Sequence, residues 1–373
     1  MKMVVLGTGI VGSAAVWDLL RRGHDVVVAD ADASVASATG ARFDVPWRAV
    51  DVEDGASLAP VLTDADAVVS AVPYRYGTAV AAAAIETGTH YLDFGGNPSV
   101  VAAQRGLDDA AAEAGVLVVP DCGLAPGVAN VMATLLIEQH RSVHPAVPIG
   151  SVQIRVGALP QEPVGTLGYQ LAFNPAGLIN EYAEPCEILR DGRYATVDPL
   201  TRFEDVEWNG WGPLEAFSTA GGTSSLCTVY AGVVGDLEYK TLRFPGHGRI
   251  FAAMRENGLF DETVGPSGVA PRTVLLDALD AHLPRGGADV VLVRTWLTAG
   301  DTIVTIEFED VASGGFSALA RTTAFPATAL ADLIVSGSVD VRGVRTMNEC
   351  APGEQLLSEL DSVGIRVDHT RFG

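Results

Sequence analysis

The chain has 373 residues, with 24 Lys and Arg against 46 Asp and Glu, a formal net charge of −22. So acidic a balance argues against nucleic-acid binding, which needs a basic face. With 48% hydrophobic residues and nothing of low complexity it can bury a large core, and its length suggests two domains.

The longest apolar runs, 66–78 and 115–136, are interrupted before they reach bilayer length, so no membrane helix is expected. The N-terminus enters a strand and glycine turn without a secretory-type segment, and the expectation is a cytoplasmic protein. Cys122, Cys186, Cys227 and Cys350 are far apart with no CxxC pair, which predicts free thiols and no metal site.

Taken in order, residues 3–6 read as a buried strand, GTGIVG follows at 7–12, and residues 13–22 carry helix-spaced apolar positions up to Gly23. A second strand over 26–29 closes on Asp30. Strands at 67–72, 91–93 and 116–119 alternate with helices at 78–87 and 100–114, the grammar of a doubly wound parallel sheet. A helix over 128–139 leads away, and from 151 the pattern turns to Thr- and Val-rich strands at 151–156, 237–244, 290–297 and 302–308. The fold class is therefore α/β, an N-terminal Rossmann sheet with a second, mixed α+β domain. The expected division is 1–128 for the nucleotide domain and 129–330 for substrate binding and dimerisation. Residues 331–373 form C-terminal helices that can return to the first domain.

In GTGIVG, Gly7 suits the tight turn, Gly9 the close approach of a pyrophosphate, and Gly12 helix-on-strand packing, with Thr8, Ile10 and Val11 completing the loop. Asp30, 18 residues beyond Gly12, would accept hydrogen bonds from the adenosine ribose and repel a 2′-phosphate. With Asp32 adding to that field, the cofactor expected is NAD. Asp51 and Val52 are placed beside the adenine, though Asp51 reads equally well as a turn acid, and Val72 and Pro73 face the nicotinamide half.

The remaining motifs resemble the saccharopine dehydrogenase-like family. They are AIETGTHYLDFGG at 84–96, PDCGLAPG at 120–127, VGALP at 156–160, GPLEAFSTAGGTSSL at 212–226 and LEYKTLRFPGHG at 237–248. Saccharopine-handling members carry an Asn-Arg-Asp type segment where this chain has Ala220 to Ser225 without a cation, and the fungal reductases have a cysteine where this chain has Val156. The GGTS character is that of the lysine 6-dehydrogenase branch. The resemblance thus implies NAD-dependent oxidative deamination of the lysine ε-amine to an aldehyde that cyclises to a piperideine carboxylate, in a homodimer. A saccharopine-type dehydrogenase or reductase, a dehydrogenase of another diamino acid, or a non-catalytic NAD-binding sensor are the alternatives.

Such chemistry needs a base and a carboxylate grip. Asp93, at a strand end, can hold the substrate ammonium or take its proton, or instead fix its loop; Asp121 ranks below it, as a turn acid. Tyr74 can face substrate or simply pack. Arg243 is the natural bidentate partner of an α-carboxylate, and His247, expected on a loop, has a pKa suited to acid–base work. Lys240 lies in the same motif, but alternation along a strand puts it on the face opposite Arg243. Gly222, Thr223 and Ser224 offer backbone amides and hydroxyls to the same carboxylate.

Overall fold

The computed structural model describes residues 1–95, 97–266 and 268–372. It divides into two compact units, Met1–Leu135 with Ala320–Val367, and Leu136–Leu319 with Asp368–Gly373. The first crossing thus falls seven residues after the expected one, and the chain returns at Ala320, earlier than the expected 331.

The first unit is built on a seven-stranded sheet. In chain order its strands are β1 (Lys2–Leu6), β2 (Asp25–Asp30), β3 (Trp47–Ala49), β4 (Ala67–Ser70), β5 (His90–Asp93) and β6 (Leu117–Val119). The two-residue strand Gly343–Val344 pairs with β6, so the spatial order is 343–344, β6, β5, β4, β1, β2, β3, with parallel neighbours. Covered on both faces, the central strands need apolar residues throughout, and Val4, Val5, Val68, Val69, Tyr91 and Leu92 are all buried.

Helix starts follow local chemistry. Asp32, Asp54 and Asn97 accept the first free amides of Ala33–Phe43, Gly55–Leu62 and Pro98–Arg105. The single helix expected over 100–114 is two, Pro98–Arg105 and Asp108–Glu113, parted at Gly106 and Leu107. Helix Ala318–Val335 is long and apolar enough to cross a bilayer, yet most of it is buried, as a core helix is.

The second unit holds a nine-stranded sheet. Its strands begin with β7 (Ile149–Pro160), β8 (Cys186–Arg190), β9 (Arg193–Val197), β10 (Glu204–Trp208) and β11 (Gly212–Ser218). They continue with β12 (Val234–Arg243), β13 (Asp289–Ala299), β14 (Thr302–Val311) and Val367–Phe372. The path runs β10, β11, β12, β7, β13, β14, 367–372, with β8 and β9 branching from β12.

Alternation along β12 divides chemistry between the two sheet faces. Leu242 packs with Leu159, Trp208, Leu214, Val290 and Leu292. The opposite face, with Phe217 of β11, lies under an apolar cluster containing Tyr169, Leu178, Tyr182, Phe251, Leu275 and Leu279. Those residues include members of helices Pro175–Ala183, His247–Glu256 and Pro271–His282.

Candidate functional site

In the first unit, β1 ends in the glycine loop at the point where strand order reverses between β1 and β4, the place where open α/β sheets bind ligands. Gly7 has φ +79, and a Cβ there would meet the Ala71 carbonyl at 2.8 Å. A Cβ on Gly12 would collide with the Gly7 carbonyl, whereas one on Gly9 would meet nothing within 4 Å. The loop is thus closed beneath and open above, the shape a pyrophosphate requires.

A concavity of about 230 Å³ is lined by Gly7, Gly9, Asp30, Ala31, Asp51, Val52, Val72, Pro73 and Tyr76, among others. It gathers seven of the eleven residues expected around a cofactor. The other four lie off its wall: Gly12 packs below, Ile10 is 67% exposed, Val11 is half-buried, and Thr8 is buried. Asp51 accepts the Glu53 amide at 2.9 Å, so it is both a turn acid and a wall residue. The fit to a dinucleotide is good.

Asp30 does more than face a ribose. Its Oδ2 accepts the Thr8 amide at 2.8 Å and the Thr8 hydroxyl at 3.2 Å, and its Oδ1 accepts the Asp32 amide at 3.0 Å. The carboxylate is largely engaged in holding the glycine loop. Asp32 caps the next helix through Ser34, whose amide and hydroxyl pull its pKa down. One cation stands beside a wall residue: the Arg75 guanidinium lies 4.4 Å from the Tyr76 ring centroid and donates to Tyr76 Oη at 2.7 Å.

Asp93 is placed differently from expectation. Its Oδ2 accepts from Tyr91 Oη at 2.9 Å and Gln104 Nε2 at 2.6 Å, and its Oδ1 from the amides of Gly95 at 2.8 Å and Asp121 at 3.4 Å. Burial raises its pKa against the pull of these four donors. It is an internal anchor for the end of β5, so the role of base toward a substrate amine is corrected to loop fixing. Gly96, the last residue of the 84–96 motif, lies outside the described residues. Tyr74, 38% exposed, lines with Asp93 and Gln104 a cavity of about 30 Å³, room for a water or two. His90 accepts the Leu117 amide on Nδ1 at 2.8 Å, so it ties β5 to β6.

In the second unit, β12 carries Arg243 and Lys240 to opposite sheet faces. Lys240 Nζ bonds Glu204 at 2.6 Å and approaches Glu238 at 3.5 Å. The same two glutamates pair with Arg155 and Arg202. Its expected part in substrate binding is therefore corrected, because its charge is neutralised inside a five-membered ionic network.

Arg243 is 3% exposed. Its Nη1 donates to Leu242 O at 2.9 Å and its Nε to Tyr182 Oη at 3.2 Å, while the guanidinium lies 5.2 Å from the Tyr169 ring centroid. Nη2 has no hydrogen-bond partner among the described residues. Tyr182 Oη, having accepted from Arg243, is free to donate to His247 Nε2 at 2.9 Å, and His247 Nδ1 donates to Leu167 O at 3.0 Å. This relay fixes the imidazole as neutral, and burial, then Arg243, push its pKa down to about 3. Acid–base work by His247 is corrected on that ground. The ring, at the first position of helix His247–Glu256 and not on a loop, is fully buried and braces Tyr182.

The 220–225 turn belongs to the Arg243 face. A Cβ on Gly222 would strike the ring of Tyr239, a residue two places from Thr241 and four from Arg243. Thr241 Oγ1 bonds Thr219 Oγ1 at 2.7 Å, Thr223 is buried, and Ser224 adopts φ 48. Sequence reasoning missed Tyr169, Glu181, Tyr182 and Tyr239. Glu181, half-buried on helix Pro175–Ala183, has its pKa raised to about 7 by burial, opposed by Arg243. The Ala220 amide donates to Glu181 O at 2.9 Å, tying helix to turn. The Asn174-Pro175 pair, a cap followed by proline in the first turn, was the signal that could have announced this helix.

The model described as the saccharopine dehydrogenase NADP binding domain matches residues 3–119, and that of the saccharopine dehydrogenase C-terminal domain matches 123–365. The chain is 28% identical over 201 residues to the NADP(+), L-glutamate-forming saccharopine dehydrogenase of Saccharomyces cerevisiae, covering 52% of this chain and 44% of that protein. Against the enzyme of the same name from Schizosaccharomyces pombe the figures are 26% over 274 residues, 70% and 59%. The mitochondrial alpha-aminoadipic semialdehyde synthase of Rattus norvegicus is 23% identical over 285 residues, 71% of this chain and 29% of that protein. The chain thus spans less than two thirds of the length of these relatives. The apo saccharopine dehydrogenase (L-Glu forming) structure from Saccharomyces cerevisiae matches with a TM-score of 0.84 at 19% identity, covering 100% of both chains, a likeness of fold.

These findings correct the expected NAD preference. The matching nucleotide domain is that of NADP binding, and the yeast relatives carry NADP(+) in their names. The error lay in treating the Asp30 carboxylate as a free ribose ligand, when it is committed to Thr8 and Asp32. With both models together accounting for nearly the whole length, the chain belongs to the saccharopine dehydrogenase family.

Proposed function

We propose that the chain is an NADP-linked amino-acid dehydrogenase of the saccharopine type, in which the carbon bearing a secondary amine gives up a hydride to NADP(+) and water then cleaves the resulting imine C–N bond to an amino acid and an aldehyde. The observation that carries this reading is the buried Arg243, with Nε and Nη1 held by the protein and Nη2 open among the described residues. A guanidinium so positioned is a carboxylate receptor whose rotamer is fixed before the ligand arrives. Tyr182 and His247 keep it in register, and the Gly222–Ser224 turn on the same sheet face adds amides and hydroxyls.

NADP, when bound, supplies the hydride acceptor. Gly7 and Gly9 would hold its pyrophosphate, Val52 and Tyr76 would flank the adenosine, and Arg75 on Tyr76 would be the cation for a 2′-phosphate. The names of the yeast relatives support this reading over lysine deamination. The lysine ε-amine is a second reading, favoured by the absence of a cation from Ala220 to Ser225.

The experiment is NADPH appearance with NADP(+) and either saccharopine or L-lysine, with the aldehyde trapped in parallel. Saccharopine turnover is expected, with KM raised on the order of a hundredfold in Arg243→Lys, because a point charge replaces a fork. Turnover of lysine alone would establish the second reading. Absence of both would overturn the dehydrogenase assignment.

A further inference from the structure

Strand register sets a carboxylate opposite Arg243. β11 and β12 run antiparallel with Glu215 directly across from Arg243, and residues so paired leave the sheet on one face with Cβ atoms about 4.5–5.5 Å apart. Both are buried. Buried opposite charges in that relation ordinarily close an ion pair, which satisfies each away from water. These two instead turn apart. Arg243 donates to Leu242 O and Tyr182 Oη, while Glu215 Oε2 accepts the Gly246 amide at 3.0 Å and Oε1 the Gly248 amide at 2.7 Å.

Those amides open helix His247–Glu256, whose N-cap is Gly246, where backbone N–H groups have no partner within the helix and a negative charge is favoured. The close approach depends on glycine: Gly246 has φ +98, and a Cβ on Gly248 would strike the rings of Phe217 and Phe203. Between the two clamped amides stands His247, whose Nε2 bonds Tyr182 Oη, which accepts in turn from Arg243 Nε. Glu215 is therefore joined to its cross-strand neighbour by an indirect route, through helix amides, imidazole and phenol.

We propose that Glu215 is a positioning residue of the carboxylate receptor, withholding its own charge from Arg243 so that Nη2 stays open to a ligand, and pinning His247 so that Tyr182 holds Nε. The inference rests on Arg243 being that receptor and deepens it. The helix N-terminus and the arginine compete for one carboxylate, and the helix keeps it while the side chain is long enough to reach both amides. The motifs at 212–226 and 237–248 thereby share a task, since the glutamate of the first closes on the glycines of the second.

Side-chain length at position 215 separates this role from simple bracing. Glu215→Asp keeps the charge but loses a methylene, so its carboxylate falls short of the helix amides and is left opposite Arg243, in competition with the ligand. Glu215→Gln keeps the length and can still accept one amide, but has no charge to offer the guanidinium. Under bracing alone the charged variant is the milder; under competition it is the more damaging.

The test is equilibrium titration of saccharopine and of L-lysine into the full chain saturated with NADPH, where no hydride acceptor is present and no turnover occurs. For whichever probe binds, Glu215→Asp is expected to weaken binding about thirtyfold or more and Glu215→Gln only about threefold to fivefold. The dissociation constant for NADPH should stay within about twofold in both variants. Hydrogen exchange at the Gly246 and Gly248 amides, which needs no ligand, should quicken about tenfold in Glu215→Asp, and thermal melts verify that each variant folds. Probe binding by Glu215→Asp within about twofold of wild type, or stronger than by Glu215→Gln, would overturn the proposal. So would unchanged exchange at both amides. In those cases a defect in Arg243→Lys would still uphold the receptor. Binding of neither probe by wild type, or binding indifferent to Arg243→Lys, would overturn the receptor itself and the proposal with it.

Discussion

Replacing His247 by Gln tests the buried relay through acid stability. The imidazole is fully buried and its pKa falls from 6.5 to about 3, chiefly through burial and then through Arg243. The unfolded chain takes up a proton near pH 6.5 that the folded one refuses. The stability contributed is therefore complete above pH 6.5 and is lost as pH falls toward 3, at about 1.4 kcal/mol per unit. Over that whole interval the loss is roughly 4–5 kcal/mol.

Glu181 works in the opposite sense. Its pKa rises from 4.5 to about 7, so its contribution is complete below pH 4.5 and is lost as pH rises through 7. Between about pH 6.5 and 4.5 the two slopes oppose each other, and below 4.5 His247 acts alone. Urea unfolding, followed by the fluorescence of Trp208, Trp211 and Trp296 in the second unit, should be run from pH 7 to 4 on wild type, His247→Gln and Glu181→Gln. The stability gap between wild type and His247→Gln should narrow by about 1.4 kcal/mol per unit on acidification, while the gap to Glu181→Gln should widen. Profiles that run parallel for wild type and His247→Gln would refute the neutral relay.

Four further outcomes follow from the geometry. Gly9→Ala should fold with unchanged melting yet bind NADP(+) at least about tenfold more weakly, since its Cβ enters open space above the loop. Gly12→Ala should lose stability itself, because its Cβ strikes the Gly7 carbonyl; calorimetry and cofactor titration separate the two. Lys240→Met should cost about 1–2 kcal/mol in denaturant titration, because Glu204 loses a close partner while it and Glu238 keep Arg155 and Arg202, with no change in KM for the amino acid. Arg75→Ala should raise the dissociation constant for NADP(+) severalfold and leave that for NAD(+) unchanged, as expected when a partly solvated cation meets a phosphate.

The first unit was legible because strands buried on both faces must be apolar throughout. Val4, Val28, Val68 and Leu92 announce themselves, and the glycines of the loop have no other use. The strands β9 and β10 were not, since Arg193–Val197 and Glu204–Trp208 are largely exposed and read as polar loops. Period-two alternation correctly separated Lys240 from Arg243, but no spacing rule could link Arg243 to Tyr182 and Tyr169, which reach it from segments distant in sequence. Asp93 shows the limit of reading a carboxylate at a strand end: its neighbours Tyr91 and Gln104, invisible as partners in the sequence, decide that it faces inward. Asp30 shows the same limit for cofactor choice.

Strand Gly343–Val344 completes the edge of a sheet whose other six strands lie before residue 120. During synthesis those six strands leave the ribosome early, but β6 stays without its outer neighbour until more than two hundred further residues have been translated. Its exposed backbone is shielded in the meantime only by whatever transient partner it finds. The first unit is thus begun before the second, yet its sheet closes only after residues 136–319 have been made.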